Sequence, residues 1–412
     1  MSKIQSLSLN EKLFAKTTDE DAARRAEVLF YSGFIPLLFV LLWKTTAFPQ
    51  YEKAELLAMA FFTGCVALKM LLYDRWSVKE VIFLVLCVAI AGMSYYKSGF
   101  TRPLVVVIAV WGAKDLDGRK LLKVWLVMSV LNLVLAMSAA LLEIIENYSF
   151  PWTDDEAVAD TVYSIGITNT TDCAARVFFT MLVWFYLRGE RLQWFEYLIG
   201  IFLAFGTYYF TGGRIDSGCI AITTMMFLVV NTVKNIKGKT KRYRAEHNAF
   251  PLIASLSMPT GAVASFTLCK LYIPSGIWKK LDEWSSGRLT IGHKIFEDYD
   301  IKLFGQKIEM YGNGRGETVA DRLIREVEYN FMDISYQSIL LLYGVAFLII
   351  VLAFYSLLVW RQRKDIYLML CVLLIAFNCM FAHHLTEIAY IPFVMLSLSR
   401  LTKDITNKKI FN

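Results

Sequence analysis

What most constrains this chain is a succession of apolar runs that recur along its length, many of them as long as a bilayer is thick. Crossing a hydrocarbon core of ~30 Å takes about 20 residues of helix, which satisfies its own backbone hydrogen bonds where no water can. Twelve spans can be drawn, at about 27–43, 56–73, 81–97, 101–113, 121–142, 171–188, 194–210, 215–233, 251–272, 335–359, 366–382 and 386–400. Composition agrees, with 56% hydrophobic residues and a mean hydropathy of +0.47, against roughly 45–50% apolar residues in soluble domains. The expected fold class is all-α, a polytopic membrane protein of about twelve transmembrane helices.

Charge orients these spans. With the first span starting inside, the inner loops are "DRWSVKE", "KDLDGRKLLK", "RGERLQ", "KNIKGKTKRYRAEHN" and "RQRKD", and every one carries Lys or Arg, as the positive-inside rule requires. Lys3, Lys12, Lys16, Arg24 and Arg25 precede the first span with no small-residue cleavage site, so an uncleaved first helix is expected. The organisation expected is an N-terminal cytoplasmic tail (1–26), one transmembrane domain (27–400) and a C-terminal cytoplasmic tail (401–412). The net charge of +7 is concentrated in such loops: 234–247 holds six Lys/Arg against one Glu. No nucleic-acid partner is therefore expected. The seven cysteines fall in or beside apolar segments, without metal spacing or a disulfide framework.

The outer side receives a loop of about sixty residues, 273–334, with nine Lys/Arg against eleven Asp/Glu. Ile291, Ile295 and Tyr299, with Phe296 beside them, recur at helical spacing, as do Val319, Leu323, Val327 and Phe331. The spacing predicts two amphipathic helices lying against the membrane or the bundle, with Gly305, Gly312, Gly314 and Gly316 between them.

Unusual polar residues gather on this outer side. "TGGR" places Arg214 at the mouth of a helical hairpin, where a guanidinium and exposed backbone N–H groups suit a pyrophosphate; a snorkelling arginine is the plainer reading. "SSGR" offers Arg288 in the same way, just before a predicted helix, unless it merely pairs with a nearby acid. "SIGITNTTDCAARVFF" puts Asn169, Asp172 and Arg176 at the entrance of the sixth span, and ionisable groups at that depth face a cavity or a partner. Asp172 and Arg176, four apart, can equally pair along one helix face.

"AHHLTE" supplies His383, His384 and Glu387, and a histidine with a nearby carboxylate can act as a general base. The spacing is not the metalloprotease one, and adjacent histidines on a helix point apart, so no zinc site is expected. In "MDISYQSILLLYG", Asp333 either caps the following helix or receives a sugar hydroxyl, and Tyr336 shares its face. No Walker motif, dinucleotide fingerprint or nucleophile elbow is present.

"SIGITNTTDCAARVFFTMLVWFYLR", "YYFTGGRIDSG", "SGRLTIGHKIFEDYDIKLFGQ", "MDISYQSILLLYGV" and "HHLTE" stand in an order, spacing and sidedness that resembles the Wzy-type polysaccharide polymerases, relatives of the O-antigen ligases. The resemblance covers most of residues 27–400. It implies a glycosyltransferase of the bacterial plasma membrane that makes capsule, exopolysaccharide or O-antigen. Such an enzyme moves a growing chain from undecaprenyl pyrophosphate onto a new lipid-linked repeat unit. Donor and acceptor are then lipid-linked oligosaccharides. Flippase and chain-length regulator proteins are the expected further partners, and no cofactor or metal is implied. The family's arginines map to Arg214 and Arg288. The base that the resemblance implies, an outer-loop histidine, has two counterparts here, His293 and His384, with Asp333 a third candidate for that role. Arg176 stands where related sequences often carry another polar residue. A glycan ligase of the same fold is the nearest alternative, and a lipid-linked glycan transporter a more distant one.

Overall fold

The computed structural model describes residues 19–151, 161–237, 249–312 and 329–401. Helices dominate: α1 (Asp19–Lys44), α2 (Glu52–Leu72), α3 (Val78–Ser98), α4 (Arg102–Gly112) and α5 (Gly118–Leu141) are followed by a small hairpin, β1 (Ser149–Pro151) with β2 (Thr161–Tyr163). Then come α6 (Thr170–Arg188), α7 (Trp194–Thr211), α8 (Arg214–Lys237) and α9 (Phe250–Lys270). Six of these, α1, α2, α3, α5, α8 and α9, are long and apolar enough to cross a membrane. The expectation of a polytopic helical protein is met to that extent, with the β-hairpin as a local departure from all-α.

Aromatic and small residues set how closely the helices approach. Phe30 and Phe34 of α1 stack on each other and meet Phe62 of α2 edge-on and at a tilt, with ring centroids 5.2–6.0 Å apart. A Cβ on Gly33 would stand 2.9 Å from the Phe62 backbone, so the glycine is what lets the two helices touch. Helix ends are fixed by capping: Ser77 and Glu80 form a reciprocal capping box at the start of α3. Asn169 caps α6 through the Thr171 N–H, 3.2 Å away.

The two ends of the bundle differ chemically. At one end Lys69 is fully buried and held by both Asp74 oxygens, at 2.7 and 2.8 Å, and by the Lys114 carbonyl at 3.0 Å. Arg188–Glu196 and Lys234–Glu190 pairs sit at that end too. The opposite end holds the long loop, and the site described below lies there. Most of the basic stretch 234–247 lies outside the described residues.

The long loop contains α10 (Gly276–Trp284) and α11 (Arg288–Asp298). The first amphipathic helix expected from sequence is α11, although its buried face is Leu289, Gly292 and Ile295, with Tyr299 just past its end. The second falls on Val319, Leu323 and Val327, which lie outside the described residues. Its last member, Phe331, is not helical. Helix α10 was not anticipated.

Two expected spans take another form. The tenth is broken: α12 (Ser335–Ser338) runs into one π turn, Ile339–Tyr343, then stops at Gly344 before α13 (Val345–Arg361) begins. A stretch of the long loop fills the break. Val345 and Ala346 donate to the Lys302 and Leu303 carbonyls at 3.2 and 3.0 Å, and Gln306 N–H reaches Leu342 O at 3.2 Å. Ser94 of α3 covers the Tyr343 carbonyl at 2.7 Å. Gly305 (φ +79°) and Gly344 (φ +90°) make this interlock possible, because a side chain at either would meet the other strand's backbone.

Helix α14 (Ile366–Asn378) follows, and the expected twelfth span, 386–400, is not an α-helix. Residues 379–401 form turns and one 3₁₀ stretch, Pro392–Ser397, that runs back through the bundle to the opposite end. Pro392 accounts for this locally, since it has no N–H and drives Ile391 to an extended conformation (φ −118°, ψ 91°). The strap is almost wholly buried, and other elements satisfy much of its backbone. Trp125 Nε1 donates to Ile388 O at 2.7 Å, Arg361 to Ser397 O, and Gly118 N to Arg400 O at 2.8 Å.

Candidate active site

Where α1 ends and α2, α4 and α6 begin, the bundle opens into a cleft of about 250 Å³. Its walls are Leu41, Lys44 and Thr45 of α1 and the residue after it, Glu55 of α2, and Thr101, Arg102 and Val105 at the start of α4. Thr168 and Asp172 at the start of α6, Phe331, and residues of the strap from His383 to Tyr390 complete them. The sequence placed Asp172, His383 and Glu387 among the candidates, and the fold brings all three to one wall.

The strap makes the histidines converge. Residues 381–387 turn instead of forming a helix, so His383 and His384 do not point apart as expected. Their rings lie 4.1 Å apart, and both Nε2 atoms face Asp172 Oδ1, at 3.9 and 3.6 Å. His384 is buried, stacks on Tyr390 at 3.8 Å, and turns its Nδ1 to Glu387 Oε2 at 3.5 Å. Glu387 in turn holds Arg102 by a 2.8 Å ion pair. Across the cleft Lys44 pairs with Glu55 at 2.5 Å. Asp172 Oδ2 accepts from Thr168 at 3.3 Å, while its buried Oδ1 accepts no hydrogen bond.

The two arginines singled out by sequence are not on the cleft wall. Arg288 donates to the Phe381 carbonyl, two residues before His383, and so ties α11 to the histidine turn. Asp282 sets its position, accepting from the first N–H groups of α11, Leu289 at 2.8 Å and Thr290 at 3.1 Å. Arg214 Nη1 donates to Glu283 O at 3.2 Å, on the neighbouring helix of the same cap. Both guanidiniums therefore hold the long loop in place, Arg288 against the histidine turn and Arg214 against α10.

Other candidates belong to packing. Arg176 is fully buried and donates to Thr45 Oγ1 at 2.9 Å, Ser129 Oγ at 3.2 Å and Asn132 Oδ1 at 3.3 Å. It makes no ion pair with Asp172. Tyr336 is fully buried, and its hydroxyl donates to Ala376 O at 3.0 Å, so it is a helix-packing group and not a substrate contact. His293 lies against α9, with Nδ1 2.9 Å from Cys269 O and Nε2 3.5 Å from Glu297; it is not part of the cleft. Asn169 is the α6 cap. Asp333 caps nothing: Ile334 occupies that position, and Asp333 accepts from Tyr329 at 2.9 Å. It stands close enough to Asp172 for the two carboxylates to repel.

Sequence reasoning missed Lys44, Glu55 and Arg102. The signal for Arg102 was present, as an arginine inside the expected fourth span, where an ionisable residue asks for a partner.

No family model matches the chain, and neither a curated protein nor a solved structure does.

Proposed function

We propose that this chain is a membrane glycosyltransferase of the polysaccharide-polymerase type. On this reading it extends undecaprenyl-pyrophosphate-linked repeat units on the outer face of a bacterial plasma membrane. One observation carries the reading: a cleft lined by paired cations and a histidine–carboxylate cluster opens at the end of the bundle that bears the long loop. The chemistry needs charge stabilisation for a departing pyrophosphate and a group that activates a sugar hydroxyl. Arg102 and Lys44 on the wall, with Arg288 beside the histidine turn, supply the first. Asp172, His383, His384 and Glu387 supply the second.

The proposal includes the twelve-pass layout, with α4, α6, α7, α12–α13 and α14 as shorter crossings and the strap as the last. Both chain ends then face the cytoplasm and the cleft faces outward. The Lys69, Lys234 and Arg188 clusters fall on the cytoplasmic side under this arrangement, as the positive-inside rule asks. The order and sidedness of the sequence motifs also support it.

The test is deletion of this chain in the cell that makes it, followed by analysis of lipid-linked intermediates. A polymerase defect leaves single lipid-linked repeat units on the outer leaflet. Full-length chains that remain on lipid would make the protein a ligase instead. Single units trapped on the cytoplasmic leaflet would make it a transporter.

A further inference from the structure

The walls of the cleft carry two cations, Lys44 and Arg102, against three carboxylates, Glu55, Asp172 and Glu387. One negative charge is in excess at a place where, on the reading above, an anionic pyrophosphate must approach. The surplus is local. Lys44 and Glu55 pair with each other, as do Arg102 and Glu387, which leaves Asp172 facing two imidazoles.

We infer that Asp172, His383 and His384 together hold a divalent transition-metal cation of the zinc class. Asp172 Oδ1 and the histidine nitrogens all lie within 4.8 Å of one another. Two ligand atoms at ~2.0–2.2 Å from a tetrahedral zinc stand about 3.4 Å apart. Nε2 of His384 and of His383 are 3.6 and 3.9 Å from Asp172 Oδ1, so each histidine needs to approach the carboxylate by only a few tenths of an ångström, and the two histidine nitrogens, within 4.8 Å of each other, draw together around the ion.

Three further features fit an ion and not merely a hydrogen-bonded cluster. Asp172 Oδ1 is buried yet accepts no hydrogen bond, and a buried carboxylate oxygen without a donor is costly. The ring nitrogen of His384 remote from Asp172 faces Glu387, and such a carboxylate behind a histidine orients metal ligands in general. The third feature is access: Asp172 and His383 line the cleft, so three protein ligands leave a coordination position open to it, as in catalytic zinc sites. A bound dication turns the wall's surplus from one negative charge to one positive. It would also lower the pKa of an oxygen held at the open position.

The binding claim stands apart from the polymerase reading; only the use made of the ion rests on it. The experiment strips full-length protein in detergent with a chelator, then titrates it with Zn²⁺ alone and with Co²⁺ as a spectroscopic substitute. One ion per chain is expected, with Co²⁺ giving the intense visible bands of a four-coordinate site. Even changes behind the ligands cost about 10–100-fold in affinity, so Glu387→Gln should weaken Zn²⁺ in that range. Asp172→Asn should weaken it more, by over ~100-fold. His383→Gln serves as the second ligand variant should Asp172→Asn fail to give monodisperse protein. Substoichiometric metal, or affinity equal in wild type and the ligand variants, overturns the proposal. Failure of the deletion test leaves a stoichiometric ion in place, and failure of the titration leaves the deletion result in place, so the two readings fall separately.

Discussion

On the polymerase reading, replacing Arg102 with methionine is expected to stop chain growth while the protein still inserts and folds. Methionine keeps most of the aliphatic stem, and the arginine side chain is 38% exposed, so the packing loss is modest. What goes is a charged donor on the cleft wall. Removing one donor from a site where negative charge develops typically costs about 10²–10³ in rate, or ~3–4 kcal/mol. The change also strips Glu387 of its partner and adds a second surplus negative charge, which further repels an anionic donor. Turnover of lipid-linked oligosaccharide by purified protein measures the effect. Arg102→Met/Glu387→Gln separates the two causes: rescue to wild-type turnover would mean that Arg102 only neutralises Glu387. Arg102→Lys should recover part of the rate, since a point charge returns without the planar fork. Wild-type turnover in Arg102→Met would remove the arginine from the mechanism.

The second large effect is on folding. Gly305→Val is expected to abolish recovery of monodisperse protein. A Cβ at this position would lie 1.9 Å from the Leu342 carbonyl oxygen and 2.5 Å from its carbon. The left-handed backbone adds its own strain to any branched residue. Such a change exceeds ~4–5 kcal/mol, a large part of the ~5–15 kcal/mol that holds a domain together. Nothing can yield cheaply, because the clashing atoms are backbone atoms of the broken helix. Gly64→Ala is the control, a helical glycine whose Cβ would meet nothing within 4 Å. It should be neutral or stabilise by up to ~1 kcal/mol. A Gly305→Val protein with an unchanged unfolding midpoint would refute the interlock.

Why the sequence disclosed some of this and not the rest follows from the kind of signal each feature leaves. Long apolar runs are repeated over many residues, so α1, α2, α3, α5, α8 and α9 were visible. Helix α11 announced itself through its spacing. The strap did not, because "IAYIPFVMLSL" has the composition of a span and only Pro392 marks the difference. Calling it helical then misdirected the reading of His383 and His384, whose convergence depends on a turn. Asp172, His383 and Glu387 were legible as polar residues where polarity is disfavoured. Tyr336 and His293 looked alike in that respect. Their partners, the Ala376 and Cys269 carbonyls, are backbone atoms that no residue type discloses. Arg102 and Lys44 sit at span ends, where snorkelling hides a functional arginine or lysine among ordinary ones.

In the proposed twelve-pass arrangement the strap also dictates an order of biogenesis. A helix can leave the translocon alone, because its amide groups are already paired; the bundle then assembles from finished parts. Residues 379–401 cannot do this. Each unpaired amide in hydrocarbon costs several kcal/mol, and the partners that relieve the strap, Trp125, Arg361 and the loop before α5, belong to other elements. It must therefore enter a bundle that has already closed around its path. The histidine turn rides on that segment, so on this arrangement the chain acquires its cleft in the last step of insertion, and no partly inserted intermediate carries it.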